Sequence, residues 1–540
     1  MIVRHSQHGI LHYIAPAGLL VVGCAGLIAY LLARFPYDGL YGQDSYAYYY
    51  QALALRQDIT GQPQPPWSLF NSQSFRWPIG YHLHVIAGSF FGDGHAGAWV
   101  LTLILTALIP ALVYLILGQL WEGTSPRARI IGGLIAGGAM AVTGTYMRFG
   151  ISLMADVPAL FWALLGTYSF LKAWPAREQP NDKRSNMAWA AAAGGALGMA
   201  VLVRYGSVVL FVPLLAYMAI RRRQSRLETV WGPKLWLAFA AFVVALLPEV
   251  LYTLTHASGA GYGAFLSDWN VANLFSRTVT SNDGTATFDY PNIVFYLLFP
   301  LVNAGTGFLS YFYLPLLALG LATLIREREW PAVGLLLSWW LAPALMFSGA
   351  PYQAHRFVLA YLPALVVMIG IGGAVAVELV LKMIPSRRES RALLFGILAA
   401  LLLVLACLGA YQGWRSVEQW VGMHAAFKVE EQGIVSLARS AVGPGSADAQ
   451  PRFVSFGITS ALSHYTHWPA RDFYIYDETA IQSFFEGPGP RLIVLPEASM
   501  YSQWKDTPSG ERWLWMREHY SLTKVGESGV YTVYEIDDAP

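Results

Sequence analysis

Cysteine and charge are both scarce in this sequence. Cys24 and Cys407 are its only thiols and both sit in long apolar runs, which excludes a disulfide framework and a cysteine-built metal site. Charged residues are 13% of the 540 and balance to a net +2, so no basic face is left over for nucleic acid. Hydrophobic residues, at 55%, take up the room. Such a balance describes an integral membrane protein.

Apolar stretches able to cross a bilayer, roughly 20 residues each, are read at 10–33, 96–118, 128–147, 152–173, 187–203, 205–220, 235–255, 292–325, 331–348, 357–381 and 392–411. That makes about eleven crossings. The 292–325 stretch is too long for one span and carries Pro300, Asn303, Gly305 and Gly307, so a broken helix or a re-entrant piece before a span is expected. The first run exceeds the apolar core of a secretory signal and reads as an uncleaved anchor.

Basic residues fall in alternate loops: Arg127 and Arg129; Arg177, Lys183 and Arg184; Arg221, Arg222, Arg223, Arg226 and Lys234; Arg326 and Arg328; Lys382, Arg387, Arg388 and Arg391. Lys and Arg accumulate on the cytoplasmic side, which puts the N-terminus inside and the intervening loops outside. The modest loops and the lack of an organelle retention signal suit a bacterial inner membrane, with those loops in the periplasm or exterior.

The expected architecture is a polytopic α-helical membrane domain, 1–411, with external loops 34–95 and 256–291, followed by a small soluble extracytoplasmic α/β domain, 412–540. The second loop holds Asp268, Arg277, Asp283 and Asp289. In the tail, strands are expected at Phe453–Phe456, Phe473–Tyr476, Leu492–Leu495 and Val530–Tyr534, separated by turn-rich or helix-compatible segments such as 478–485 and 510–518. His464 and His467 lie three apart, but Tyr465, Thr466, Trp468 and Pro469 around them point to a surface turn with a structural or solvent-exposed role.

Two acids fall at the outer level. Asp44 lies just beyond the first span, where a carboxylate is costly unless solvated, paired or used; a solvated loop aspartate is the plain alternative. Asp156 opens the fourth span from the same side, where the helix dipole favours an acid. A capping role is the plain alternative there, since Pro158 suits a first turn. At the same level stand Arg148, Arg204, Glu249, His355 and Arg356. Each alone suits a helix-end anchor; together they suit an anionic lipid head group, with Arg204 and Arg356 facing phosphate.

Four runs carry a family resemblance: Gly42-Gln43-Asp44-Ser45-Tyr46-Ala47-Tyr48, Arg76-Trp77-Pro78-Ile79-Gly80-Tyr81, Ser152-Leu153-Met154-Ala155-Asp156-Val157-Pro158, and His355-Arg356-Phe357 leading to Pro363. In order and placement the chain resembles the GT-C superfamily of glycosyltransferases, which includes protein O-mannosyltransferases and lipid A aminoarabinose transferases. It departs from that pattern twice. Many relatives have two adjacent acids where this chain has Asp44-Ser45, and the Trp-Trp-Asp signature of oligosaccharyltransferases is missing, since Leu341 follows Trp339-Trp340 inside a span. The second departure argues against transfer of a preassembled glycan to asparagine.

The resemblance implies transfer of one hexosyl or pentosyl unit from a polyprenyl-phosphate donor lipid to a hydroxyl of a protein, lipid or glycan acceptor, outside the membrane. Asp44 is then the general base of an inverting single displacement, and Asp156 orients the acceptor or Asp44. Arg204, His355 and Arg356 hold the donor phosphate, and Tyr46, Arg148 and Glu249 line the same cavity. No cofactor is required: two acids could hold a divalent ion, but arginines balance phosphate without one. His82 and His84 read as interface anchors rather than metal ligands. The rival reading is a transporter or flippase of polyprenyl-linked sugars, for which broken spans such as 292–325 would be suited. Against it, the charges gather at one face and no inverted repeat is visible.

Overall fold

Inside hydrocarbon every backbone N–H and C=O must be satisfied within its own segment, so the long apolar runs fold as helices. The computed structural model describes residues 8–61, 77–92, 94–122, 124–175, 183–225, 232–255, 269–281, 284–298, 309–383, 390–442 and 451–537. Outside them lie Arg76, Arg177, Arg226, Asp268, Asp283, Pro300, Asn303, Gly305, Gly307, Arg387 and Arg388.

The helices of the first half are α1 (His8–Arg34), α2 (Gly42–Thr60), α3 (Ile79–Gly88), α4 (Gly94–Leu120), α5 (Pro126–Ala141), α6 (Gly144–Gly150), α7 (Asp156–Ala173), α8 (Lys183–Val203), α9 (Phe211–Ser225) and α10 (Pro233–Thr255). There follow α11 (Val271–Phe275), a hairpin of β1 (Thr278–Ser281) and β2 (Gly284–Thr287), α12 (Asn292–Leu297), α13 (Leu314–Arg326), α14 (Trp330–Ser348), α15 (Leu362–Met383) and α16 (Ser390–Val442).

Among the described residues eight helices are long and apolar enough to cross a membrane, or nine if α5 and α6, bent by 65°, form one span. Two of the eleven expected crossings differ. The 152–173 stretch starts as a loop, and in α7 Asp156, Thr167, Ser169 and Lys172 dilute the apolar character of a helix buried between α4 and α8. The 292–325 stretch is divided, as expected, into α12 and the 13-residue α13. Small residues let helices approach closely. A Cβ on Gly370 of α15 would collide with the Gly132 carbonyl of α5.

No break occurs at 411/412. α16 continues for 53 residues, about 80 Å at 1.5 Å per residue, and its far half turns amphipathic, burying Val417, Val421, Ile434, Val435 and Ala438. The sheet begins only at β3 (Arg452–Ser455). Then come α17 (Thr459–Thr466), β4 (Ala470–Asp472), α18 (Glu478–Phe485), β5 (Arg491–Leu495), α19 (Glu497–Met500), α20 (Pro508–His519), β6 (Leu522–Ser528) and β7 (Tyr531–Ile536).

The sheet order is β4-β3-β5-β7-β6, with β3 parallel to both its neighbours and β7 antiparallel to β5 and β6. The continuous run Leu492-Ile493-Val494-Leu495 is buried throughout, as a central strand demands. Phe473–Tyr476 is not a strand. Asp472 ends β4 by accepting the Tyr474 N–H on its own carboxylate at 2.8 Å, a side-chain turn that stops the ladder. The alternation expected of a strand is masked in β6 by Lys524 and Glu527, and the sequence alone did not suggest it.

Candidate active site

Asp44 stands in the first turn of α2. Gly42 takes the left-handed backbone, φ 62°, that leads the chain into the helix. Ser45 folds its hydroxyl back to donate to the Tyr41 carbonyl at 2.7 Å and is fully buried. A second acid at this position would lose its water, so the single acid of Asp44-Ser45 matches the local packing.

Asp156 opens α7, and the loop before it is fastened to the segment before α2. The Leu153 N–H donates to the Gly39 carbonyl at 2.8 Å, and the Tyr37 hydroxyl donates to Ser152 Oγ at 3.1 Å. Two distant parts of the chain are thereby locked side by side, which brings both acids to one level. Arg204 follows α8 directly. A Cβ on Gly80 would meet the Leu202 carbonyl oxygen at 2.5 Å, so only glycine lets α3 press on α8 just before Arg204.

Each acid has its own arginine. Arg356 Nη1 donates to Asp44 Oδ2 at 2.7 Å, and Arg204 Nη1 pairs with Asp156 Oδ1. The Phe357 ring lies 5.1 Å from Arg204 Cζ and 5.6 Å from Arg356 Cζ, close enough to attract both guanidiniums. Tyr48 is buried against the group. Its hydroxyl pKa is raised, first by burial and then by Asp44, while Arg204 and Arg356 oppose the shift. Burial works against the charge of Arg356, but Asp44 and Asp156 outweigh it and its pKa rises above the ordinary arginine value. The four charges therefore act as one cluster.

The two pairs differ in exposure. The Asp44 and Arg356 side chains are 38% and 28% exposed; those of Asp156 and Arg204 are 2% and 22%. Asp156 Oδ2 is buried with no hydrogen-bond partner among the described residues, an arrangement that calls for a donor.

The remaining sequence candidates have other partners. Arg148 stacks 4.2 Å from the Trp420 ring and donates to His424 Nε2 at 2.8 Å and to the Tyr41 hydroxyl at 3.1 Å, so it ties α6 to α16 and to the entry of α2. The His355 ring lies 5.8 Å from Trp420. Burial, then Arg148, push its pKa down to about 4, which leaves a neutral imidazole. Glu249 accepts from the Ile79 N–H and the Tyr205 hydroxyl, both at 2.8 Å, and caps α3. Tyr46 turns toward the tail, donating to Glu431 at 2.8 Å.

His82 and His84 are not interface anchors. His82 is fully buried against the Pro78 carbonyl and Gln51 Oε1, at 3.1 and 3.0 Å, with its pKa pushed down to about 3 by burial; His84 lies 3.2 Å from Thr102 Oγ1. His467 does sit in a turn, at φ 60°, but His464 lies on α17 with Nδ1 2.8 Å from the Tyr50 hydroxyl. Among the described residues no three His, Cys, Asp or Glu side chains converge to hold a metal ion. Sequence reasoning quoted Tyr48 and Phe357 within the runs that carry the resemblance but gave them no role, and it missed Lys428 and Glu431. For the last two the signal was present, two charges three apart on an amphipathic stretch.

A sequence family described as Dolichyl-phosphate-mannose-protein mannosyltransferase matches residues 80–259, a third of the chain. That span includes Asp156 and Arg204 but neither Asp44 nor Arg356. No curated protein matches by sequence. Solved structures do match: ArnT from Cupriavidus metallidurans in the apo state superposes with a TM-score of 0.61 at 15% identity, covering 96% of this chain and 97% of that one. The chain shares the fold of that membrane protein. Other matches are ArnT from the same organism bound to undecaprenyl phosphate, TM-score 0.59, 14% identity, 96% and 97% coverage, and the Archaeoglobus fulgidus oligosaccharyltransferase tethered with an acceptor peptide, TM-score 0.55, 14% identity, 97% and 74% coverage. The missing Trp-Trp-Asp signature has a structural counterpart: Trp339 is buried in α14 and donates to the Ala360 carbonyl at 2.8 Å.

Proposed function

We propose that this protein transfers a single sugar from a polyprenyl-phosphate carrier to an acceptor hydroxyl on the extracytoplasmic side of the membrane. The observation that carries the reading is the half-open Asp44–Arg356 pair beside the buried Asp156–Arg204 pair. The bound undecaprenyl phosphate of the ArnT match supports the donor class. Sidedness rests on the basic residues, which gather at the helix ends away from Asp44: Arg127 and Arg129 begin α5, Arg222 and Arg223 end α9, and Arg326 ends α13.

The charges suggest how donor binding prepares the base. A guanidinium matches a phosphate better than a lone carboxylate oxygen does, so the donor phosphate competes with Asp44 for Arg356. Released from Arg356, Asp44 accepts the proton of the acceptor hydroxyl. The acceptor oxygen attacks the anomeric carbon as the bond from that carbon to the phosphate oxygen breaks. The electron pair leaves with the polyprenyl phosphate, whose added negative charge Arg356 and Arg204 stabilise. Asp156 Oδ2 takes a hydrogen bond from an acceptor or sugar hydroxyl. One displacement inverts the anomeric centre.

The test is release of undecaprenyl phosphate from a panel of undecaprenyl-phosphate-linked hexoses and pentoses by the protein in liposomes, with the anomeric configuration of the product read by NMR. Sugar-dependent release with inversion supports the reading. Movement of intact donor between leaflets without release would replace it with transport.

A further inference from the structure

Helix α2 carries Asp44 on one face and docks the tail with the next. Gln43, Tyr46 and Tyr50, spaced three and four apart, share that docking face. Gln43 Oε1 accepts the Ser460 N–H at 3.2 Å, and its Nε2 donates to Asp472 Oδ2 at 3.3 Å. The Tyr46 hydroxyl lies 2.8 Å from Glu431 Oε2, 2.8 Å from Lys428 Nζ and 3.2 Å from the Tyr465 hydroxyl. Lys428 also pairs with Asp38 at 3.0 Å, gripping the segment that leads into α2.

The tail contacts Gln43 at a telling place. β3 leads through α17 to β4 on one side, and the next parallel strand, β5, lies on the other side of β3. That reversal at the carboxyl ends of parallel strands is where open α/β sheets receive ligands. Here Ser460, in the first turn of α17, and Asp472, at the end of β4, receive Gln43 of the chain itself. The residue they hold is the one next to Asp44.

We infer that the tail is a positioning device for Asp44, with Gln43, Lys428 and Glu431 as positioning residues that hold the first turn of α2 against Arg356. The inference rests on the proposed transfer, but its first test does not. Glu431 is almost fully buried. The groups facing it are Lys428 on its own helix, Asp38 and Tyr37 before α2, Tyr46 on α2 and Tyr531 on β7, while Tyr465 on α17 contacts Lys428 and Tyr46. Burial raises its pKa to about 7, with Lys428 and Tyr46 opposing. A carboxyl raised in the folded state favours folding most when protonated, and that contribution is lost as pH rises from its unfolded value through about 7.

Amide hydrogen exchange of residues 42–50, corrected for the intrinsic rate, is measured on the full-length protein in nanodiscs between pH 5 and 8. In the wild type, protection falls at least about tenfold as pH rises across this range, and in Glu431→Gln it is flat. At pH 6, Gln43→Ala lowers protection of the same amides about tenfold while α15 is unchanged. Equal protection of α2 in wild type and Gln43→Ala overturns the proposal, as does a pH response absent from the wild type or persisting in Glu431→Gln. Binding of undecaprenyl phosphate is measured in the same samples. If the wild type does not bind it while α2 responds as stated, the clamp stands and the transfer reading fails. Where turnover is observed, Gln43→Ala lowers kcat about ten- to hundredfold with KM for the donor unchanged; a change in KM alone overturns the positioning role.

Discussion

The two carboxylate–guanidinium pairs of the site have the same chemistry and different surroundings. Asp44 and Arg356 are both about a third exposed, whereas Asp156 has almost no contact with solvent. A solvent-screened pair holds its partners weakly and can exchange one of them for a ligand. A buried pair is expensive to break, because the partner left behind keeps its charge without its water. The difference teaches a division of labour: the open pair is suited to chemistry, and the closed pair fixes the loop and presents one unpartnered oxygen.

The sharpest way to break the comparison is at the open acid. Asp44→Asn lowers transfer about a hundredfold to ten-thousandfold while thermal stability changes by less than about 1 kcal/mol. The opposite balance is expected of the closed pair. Arg204→Met destabilises the protein by roughly 3 kcal/mol, and adding Asp156→Asn recovers part of that loss, read by thermal unfolding in detergent. A single variant as stable as wild type would show that the closed pair is not closed in solution.

Arg356→Lys sharpens the comparison on the ligand side. It keeps the charge and loses the fork, so undecaprenyl phosphate binds about tenfold more weakly, by fluorescence titration. The smallest effect belongs to Arg148, which stacks on Trp420 away from either acid. Arg148→Gln costs about 1 kcal/mol of stability and leaves undecaprenyl phosphate affinity unchanged.

Much of this is legible in the sequence. Asp44 and Asp156 stand out because acids at a membrane edge are rare, and the alternation of basic loops is enough to put them, with Arg204 and Arg356, at one level. Pairing is not legible. Nothing in the chain says that Asp44 takes Arg356 and Asp156 takes Arg204, because that choice is made by loop 151–155 bonding to Gly39 and by Gly80 pressing on Leu202. Arg148 and Glu249 carry the same signal as the site residues, yet they join helices, since a charge at a helix end serves anchoring as readily as chemistry. The tail reads as a separate unit from 412. Composition does change there, but a helix that passes from lipid to water changes composition without ending, and α16 does so.

The most direct measurement is a cryo-EM structure of the protein in nanodiscs with undecaprenyl phosphate. The prediction is phosphate within hydrogen-bonding distance of Arg356, with the Asp44 carboxylate released from it and facing the same cavity. Phosphate bound elsewhere, with the Asp44–Arg356 pair intact, would contradict the transfer mechanism.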